Sequence, residues 1–269
     1  MAIESRQRHG LSQLAVTAFV SVLFKNWMLS TSGECQRCVE DGVSIETAGT
    51  ADSFSAFYAN KPQSYFSGAR SDFVRRLPYD PAASILEIGC GTGATGALAL
   101  AQGRCGRYVG VELFEAAAEE ARNVLSEVIT GNVETMEFPW QPASFDALIL
   151  SEVLEHLVEP GRVLKSLSRY VRQGGIVMAS SPNVSHWRVV REIALGRFNL
   201  TDRGVFDRTH LRWFTPATFA EMFEQAGFRI AWMGPVTPFS QRTQLLSRLT
   251  GGRYDHLFMA QIAIAGVRR

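Results

Sequence analysis

"SILEIGCGTGATGALAL", residues 84–100, decides the fold. An apolar, leucine- and isoleucine-rich run breaks at Gly89, Gly91, Gly93 and Gly96 and resumes as an alanine–leucine helical pattern. Strand, glycine turn and helix in that order are the first half of a βαβ unit. Glycines at the hand-over let a ligand approach the main chain, and the following helix turns its unbonded N–H groups toward the same place.

The alternation continues downstream. "RYVGVEL" reads as a second strand, "EAAAEEARNVLSEV" as a second helix, and Val128 to Thr130 as a short strand. "FDALILS" is a buried strand, "PGRVLKSLSRYVR" a helix closed by Gly174-Gly175, and "GIVMASSP" another strand. Strands and helices alternating at this spacing predict an α/β fold with a doubly wound, mostly parallel sheet. Ligands of such sheets sit at the carboxyl ends of the strands.

A chain of 269 residues with 46% hydrophobic content is long enough for one such domain with appendages. Its formal net charge of +1 gives no global argument for nucleic acid or an acidic membrane. Arginines exceed acids from Arg188 to Arg269, which suits either an anionic substrate or a solvated face. Four cysteines are too few and too scattered for a disulfide framework, so a reducing, cytoplasmic setting is expected. Cys35 and Cys38 have zinc-ligand spacing without a second pair, and no metal site is expected.

Residues 1–52 read as an N-terminal extension and linker, and 53–269 as the catalytic domain. The run from Leu14 to Phe24 is eleven residues, against about 20 for a bilayer span, so no integral membrane segment is expected. Its i, i+3, i+4 spacing suits an amphipathic helix.

Gly91, Gly93 and Gly96 satisfy the G-x-G-x-x-G spacing of dinucleotide enzymes, and Glu112, ending the second strand, serves a ribose in either cofactor class. Glu87 separates the classes. A carboxylate two residues before Gly89 would repel a pyrophosphate and attract a cofactor carrying an ammonium and a sulfonium.

Through "ILEIGCGTG", "GVEL", "GNVETM" and "FDALILSEVLEHL", in that order, the chain resembles the class I S-adenosylmethionine-dependent methyltransferases. The stretch from "SSPNVSHWRVV" to "EMFEQAGF" resembles a bacterial subgroup linked to polysaccharide and sugar O-methylation. The resemblance implies a seven-stranded Rossmann-like sheet ending in a hairpin of "FRIAWMG" and "HLFMAQIAIAGV", with a helical lid inserted at about 183–215. It implies that Gly89, Gly91 and Gly93 face the methionyl and ribose parts of the cofactor and that Glu87 helps hold the amino group. Glu112 and Leu113 then meet the ribose side, Asn132, Val133 and Glu134 the adenine, Ser151 the methionine portion, and Tyr65 covers the cofactor.

Methyl transfer needs mainly alignment in a dry pocket, and a sugar hydroxyl, with its high pKa, gains from a general base. His156, His186 and His210 are the candidates; each has a structural alternative as a cap or packed side chain. Trp187, Asp207 and Arg212 are the candidate substrate contacts, and ion pairs between Asp207 and the arginines are the alternative for "DRTHLRWFT". Glu152 and Glu155 lack the partner that hydrolysis would require.

The expected partner is a small-molecule or sugar substrate, with no nucleic acid. A quinone or phenolic hydroxyl and an amino-sugar nitrogen are the alternative acceptors. An NAD(P)-dependent oxidoreductase and a non-catalytic scaffold are the competing classes; a Tyr-x-x-x-Lys pair is absent for the first, and intact cofactor motifs speak against the second.

Overall fold

A computed structural model describes residues 68–269. Tyr65, Cys35, Cys38, the run from Leu14 to Phe24 and the boundary expected at residue 52 lie outside the described residues.

Seven strands form one sheet: β1 (Ser84–Ile88), β2 (Arg107–Glu112), β3 (Glu127–Thr130), β4 (Phe145–Ser151), β5 (Val171–Pro182), β6 (Phe228–Pro235) and β7 (Gln261–Arg268). Their spatial order is β3-β2-β1-β4-β5-β7-β6, with β7 antiparallel to both neighbours and all other pairs parallel. The order reverses between β1 and β4, which opens a crevice beyond their carboxyl ends.

Helices α1 (Ser71–Val74), α2 (Ala94–Ala101), α3 (Glu115–Arg122), α4 (Pro160–Ser168), α5 (Trp187–Ala194), α6 (Pro216–Gln225) and α7 (Gln241–Thr250) complete the described part. Both sheet faces are covered, which is why the central strands read as nearly unbroken apolar runs. On one face Leu86, Ile88, Leu148 and Leu150 pack with Leu164 and Leu167 of α4 and Phe219 and Phe223 of α6. On the other, Ile85, Ala147 and Ile149 pack with Phe73, Val74, Ala99 and Ala121.

Two boundaries depart from the sequence reading. Helix α4 stops at Ser168, and Val171 already pairs with Phe145 of β4. Gly174-Gly175 therefore does not close a helix; it lies inside β5, where the register with β4 shifts. A Cβ on Gly175 would stand 2.9 Å from the Asp146 carbonyl oxygen, so strand contact rather than helix termination requires glycine there. The expected terminal hairpin is not tight either: α7 intervenes between β6 and β7, capped by Ser240 at its start and by Gly251, at φ 58°, at its end.

Candidate active site

The glycine turn follows β1, and Gly89, Gly91 and Gly93 all take left-handed φ angles of 69°, 53° and 82°. A side chain at any of them would be strained, so the main chain lies bare along this wall of the crevice. Gly96 has a different task, because a Cβ there would meet the Tyr108 ring at 2.5 Å; it lets α2 pack closely on β2.

Glu112, 5% exposed, closes the turn from the β2 side. Its Oε2 accepts from the Gly91 N–H at 2.8 Å and its Oε1 from the N–H groups of Leu113 and Phe114 at 2.9 and 3.1 Å. Burial raises its pKa, and those three amides pull it back down. The Leu113 side chain is half exposed.

Glu87 is buried, near Thr95, Arg70 and Glu112, and accepts from the Tyr108 hydroxyl at 2.9 Å. Burial pushes its pKa up to about 8, against the lowering effects of Tyr108 and Arg70. Near neutral pH the group holds its proton, and an arriving cation restores its charge.

Beyond β3, Asn132 builds a turn: its Oδ1 accepts from the Glu134 N–H at 2.9 Å, with Val133 between them. The oxygen expected to face adenine thus has one lone pair already engaged. Glu134 ties this turn to the start of α4, its Oε1 accepting from the Val158 and Glu159 N–H groups at 2.9 and 3.1 Å.

The opposite wall, at the ends of β4 and β5, is made of side chains. Ser151 Oγ accepts from Arg70 Nη1 at 2.5 Å, and Ser180 Oγ accepts from the same nitrogen at 2.6 Å. Arg70 is held in turn by both Asp72 oxygens at 2.9 Å and lies over the Phe73 ring. Ser180 donates to Glu152 Oε1 at 2.6 Å, and Gln261 Nε2 donates to Oε2 at 3.0 Å. Glu152 holds a φ of 55°, a left-handed angle uncommon for a residue with a side chain. Arg70, Glu152, Ser180 and Gln261 had no assigned role in the sequence reading. Arg70, five residues after Tyr65 and two before Asp72, carried the accessible signal.

His156, in a 3₁₀ turn (Leu154–His156) after β4, and His210 meet edge to face with centroids 4.8 Å apart. Nδ1 of His156 lies 3.1 Å from the Thr209 carbonyl oxygen, and Nδ1 of His210 lies 3.1 Å from that of Val205. A carbonyl opposite Nδ1 fixes the proton there and the lone pair on Nε2. His186 stands elsewhere, as the N-cap of α5, with Nδ1 accepting from the Arg188 N–H at 3.4 Å. Burial and Arg188 lower its pKa.

Residues 183–215 cross this end of the sheet, anchored chiefly by main chain. Leu211 and Arg212 donate to the Glu155 carbonyl at 2.8 and 3.0 Å, and Val184 to that of Phe214 at 3.0 Å. Asp207, 2% exposed, turns inward, accepting from the Thr209 N–H and hydroxyl at 3.0 and 2.7 Å. Arg212 is exposed and donates to the Leu211 and Val158 carbonyls. At the tip of this segment Arg208 Nε lies 3.4 Å from Asp202 Oδ1 as an ion pair. Trp187, Phe198 and Trp213 remain substantially exposed.

A match to the methyltransferase domain family covers residues 63–231, more than half of the chain. The chain belongs to that family. The residues fit S-adenosylmethionine, the cofactor of the family, with bare glycines in left-handed conformations beside two buried acids, Glu87 and Glu112. The dinucleotide oxidoreductase reading falls with it.

Among relatives, the chain is 29% identical over 214 residues to a ubiquinone biosynthesis O-methyltransferase of Aromatoleum aromaticum, covering 76% of this chain and 88% of that one. It is 30% identical over 115 residues to a trans-aconitate 2-methyltransferase of an Azoarcus strain, covering 42% and 45%. Several curated relatives are matched over only about half of their own length. A solved S-adenosylmethionine-dependent methyltransferase from Mesorhizobium loti superposes with a TM-score of 0.53 at 17% identity, over 76% of this chain and all of that one, and shares the methyltransferase fold. Among the described residues no helix is long and apolar enough to cross a membrane.

Proposed function

We propose that this protein is an S-adenosylmethionine-dependent O-methyltransferase acting on a hydroxyl of a sugar or glycosylated small molecule. Bound S-adenosylmethionine supplies an electrophilic methyl group. Gly89, Gly91 and Gly93 would bear its amino-acid part, Glu112 its ribose, and Asn132 to Glu134 its adenine. Glu87 balances its positive charge, and Arg70, beside Ser151, faces its carboxylate.

The observation that carries the hydroxyl acceptor is the His156–His210 pair at the end of β4, with both Nδ1 protons directed to main-chain carbonyls. Two Nε2 lone pairs at the mouth of the crevice can take a proton from an acceptor hydroxyl. Residues 183–215 act as the lid, and the exposed Trp187 and Trp213 offer flat faces on which a sugar ring stacks.

A quinone or phenolic acceptor is the second reading, favoured by the likeness to the ubiquinone biosynthesis O-methyltransferase over most of the chain and by the aromatic group of Phe198, Phe206 and Trp213. Methyl-labelled S-adenosylmethionine and panels of glycosides, phenols and carboxylic acids test the proposal, with products identified by mass spectrometry. Label entering a glycoside as an acid-stable ether supports it. Transfer only to phenols favours the second reading, and transfer only to nitrogen or carboxylate overturns both.

A further inference from the structure

Glu155 carries the most unusual side chain of the described residues. It is 1% exposed, and neither Oε1 nor Oε2 has a hydrogen-bond partner. Ser181 Oγ, also buried, approaches it without completing a hydrogen bond. A buried carboxylate left unmatched is strongly disfavoured, so the group must either keep a proton or meet a cation. Glu152 and Asp207 stand near it and disfavour its charge further.

The surroundings point to a cation. One ligand atom each from Glu155, His156 and His210 fall within 4.8 Å of one another. Both histidines already have the orientation of metal ligands, donating one ring N–H to a main-chain carbonyl and placing the lone pair on the other nitrogen. The two carbonyls, of Thr209 and Val205, come from the 183–215 segment, and Glu155 holds that segment through its own carbonyl. Folding of the segment over β4 is therefore what orients the ligands.

We propose that Glu155, His156 and His210 form a binding site for a divalent transition-metal ion such as Zn²⁺. Two imidazoles and one carboxylate supply three ligands and leave a position open, the arrangement of catalytic rather than structural zinc sites. Ligand atoms about 2.0–2.2 Å from the metal lie roughly 3.4 Å apart, so the longest separation in the triad shortens by up to about 1.4 Å on loading. An acceptor hydroxyl in the open position would lose its proton to solvent at a lower pH than a free hydroxyl. That chemical role rests on the hydroxyl-acceptor reading above; the binding site itself does not. His156 and His210 then act as ligands, and the metal takes over the activation assigned to them as bases.

The test is isothermal titration of the full-length chain with Zn²⁺, made in a Cys35→Ser/Cys38→Ser background so that those thiols do not contribute. Co²⁺ serves as a parallel probe through its visible absorption bands. One equivalent of each ion should bind, with intensified Co²⁺ bands marking low coordination number. Glu155→Gln and His210→Ala should each weaken Zn²⁺ binding at least tenfold, whereas His186→Ala should leave it unchanged. S-adenosylhomocysteine affinity, measured on every variant, reports that the fold persists. Stoichiometric binding abolished in the triad variants supports the site whatever acceptor is found. Absence of saturable binding in a chain that takes up S-adenosylhomocysteine, or equal binding in wild type and Glu155→Gln, overturns it and leaves the methylation reading intact.

Discussion

Gly91 and Glu112 meet at the end of β1 across 21 residues of sequence, whereas Arg70 and Ser180 meet near the end of β5 across 110. The first wall of the crevice is main chain: glycines in left-handed conformations and a carboxylate satisfied by three amides. The second is side chain on side chain: Arg70 to both serines, Ser180 to Glu152, and His156 against His210. A wall of main chain binds a part common to every turnover and needs a short, local motif. A wall of side chains draws on residues from the whole domain. The electrostatics differ in the same way. Glu112 is buried yet matched, whereas Glu155 is buried and unmatched.

Substitutions separate the two walls, and the largest effect belongs to the second. His210→Ala should lower kcat by about 10²- to 10⁴-fold while S-adenosylhomocysteine affinity stays within twofold, in steady-state assays paired with calorimetry. An equal loss in affinity would make the two walls one unit.

Glu87 gives the next effect, through pH. Its pKa is raised by burial to about 8 in the folded chain, so between the ordinary carboxylate range and that value the native state holds a proton that the unfolded state has lost. Stability therefore falls as pH rises across this window, by on the order of a few kcal/mol. Glu87→Gln should flatten the decline in urea unfolding at a series of pH values; parallel curves for the two proteins would show that Glu87 is charged throughout.

Glu112→Ala should weaken cofactor affinity by about 10- to 100-fold, the worth of hydrogen bonds to a charged group, with less effect on acceptor KM. An unchanged affinity would remove Glu112 from the cofactor wall. Smallest is Thr215→Ala. Thr215 caps α6 in a reciprocal box with Thr218, just where the 183–215 segment ends. Its loss should cost about 1 kcal/mol by thermal unfolding and leave cofactor affinity unaltered, and a change in affinity would mean that the segment's end reports to the first wall.

The same contrast explains what was legible in the sequence. The strand–turn–helix from Ser84 onward, the parallel sheet and the placement of Gly89, Gly91, Gly93 and Glu112 follow from periodicity and local spacing. The stop at Ser168 and the irregularity at Gly174-Gly175 were not legible, because a glycine pair after an apolar run signals a helix end unless the neighbouring strand is known. Arg70, Glu152, Ser180 and Gln261 were invisible for a related reason: each acquires its role only when β4, β5 and β7 come together. Asp207 reads as a charged loop residue until Thr209 is seen folded onto it. His156 and His210 were both singled out by residue type, but their meeting, and the buried Glu155 beside them, needed the fold.

The most direct test of the account is a crystal structure of the chain grown with S-adenosylhomocysteine. The ribose hydroxyls should lie within hydrogen-bond distance of Glu112 and the amino-acid portion along residues 89–93. A ligand bound elsewhere, or a crevice lacking it at saturating concentration, would contradict the assignment.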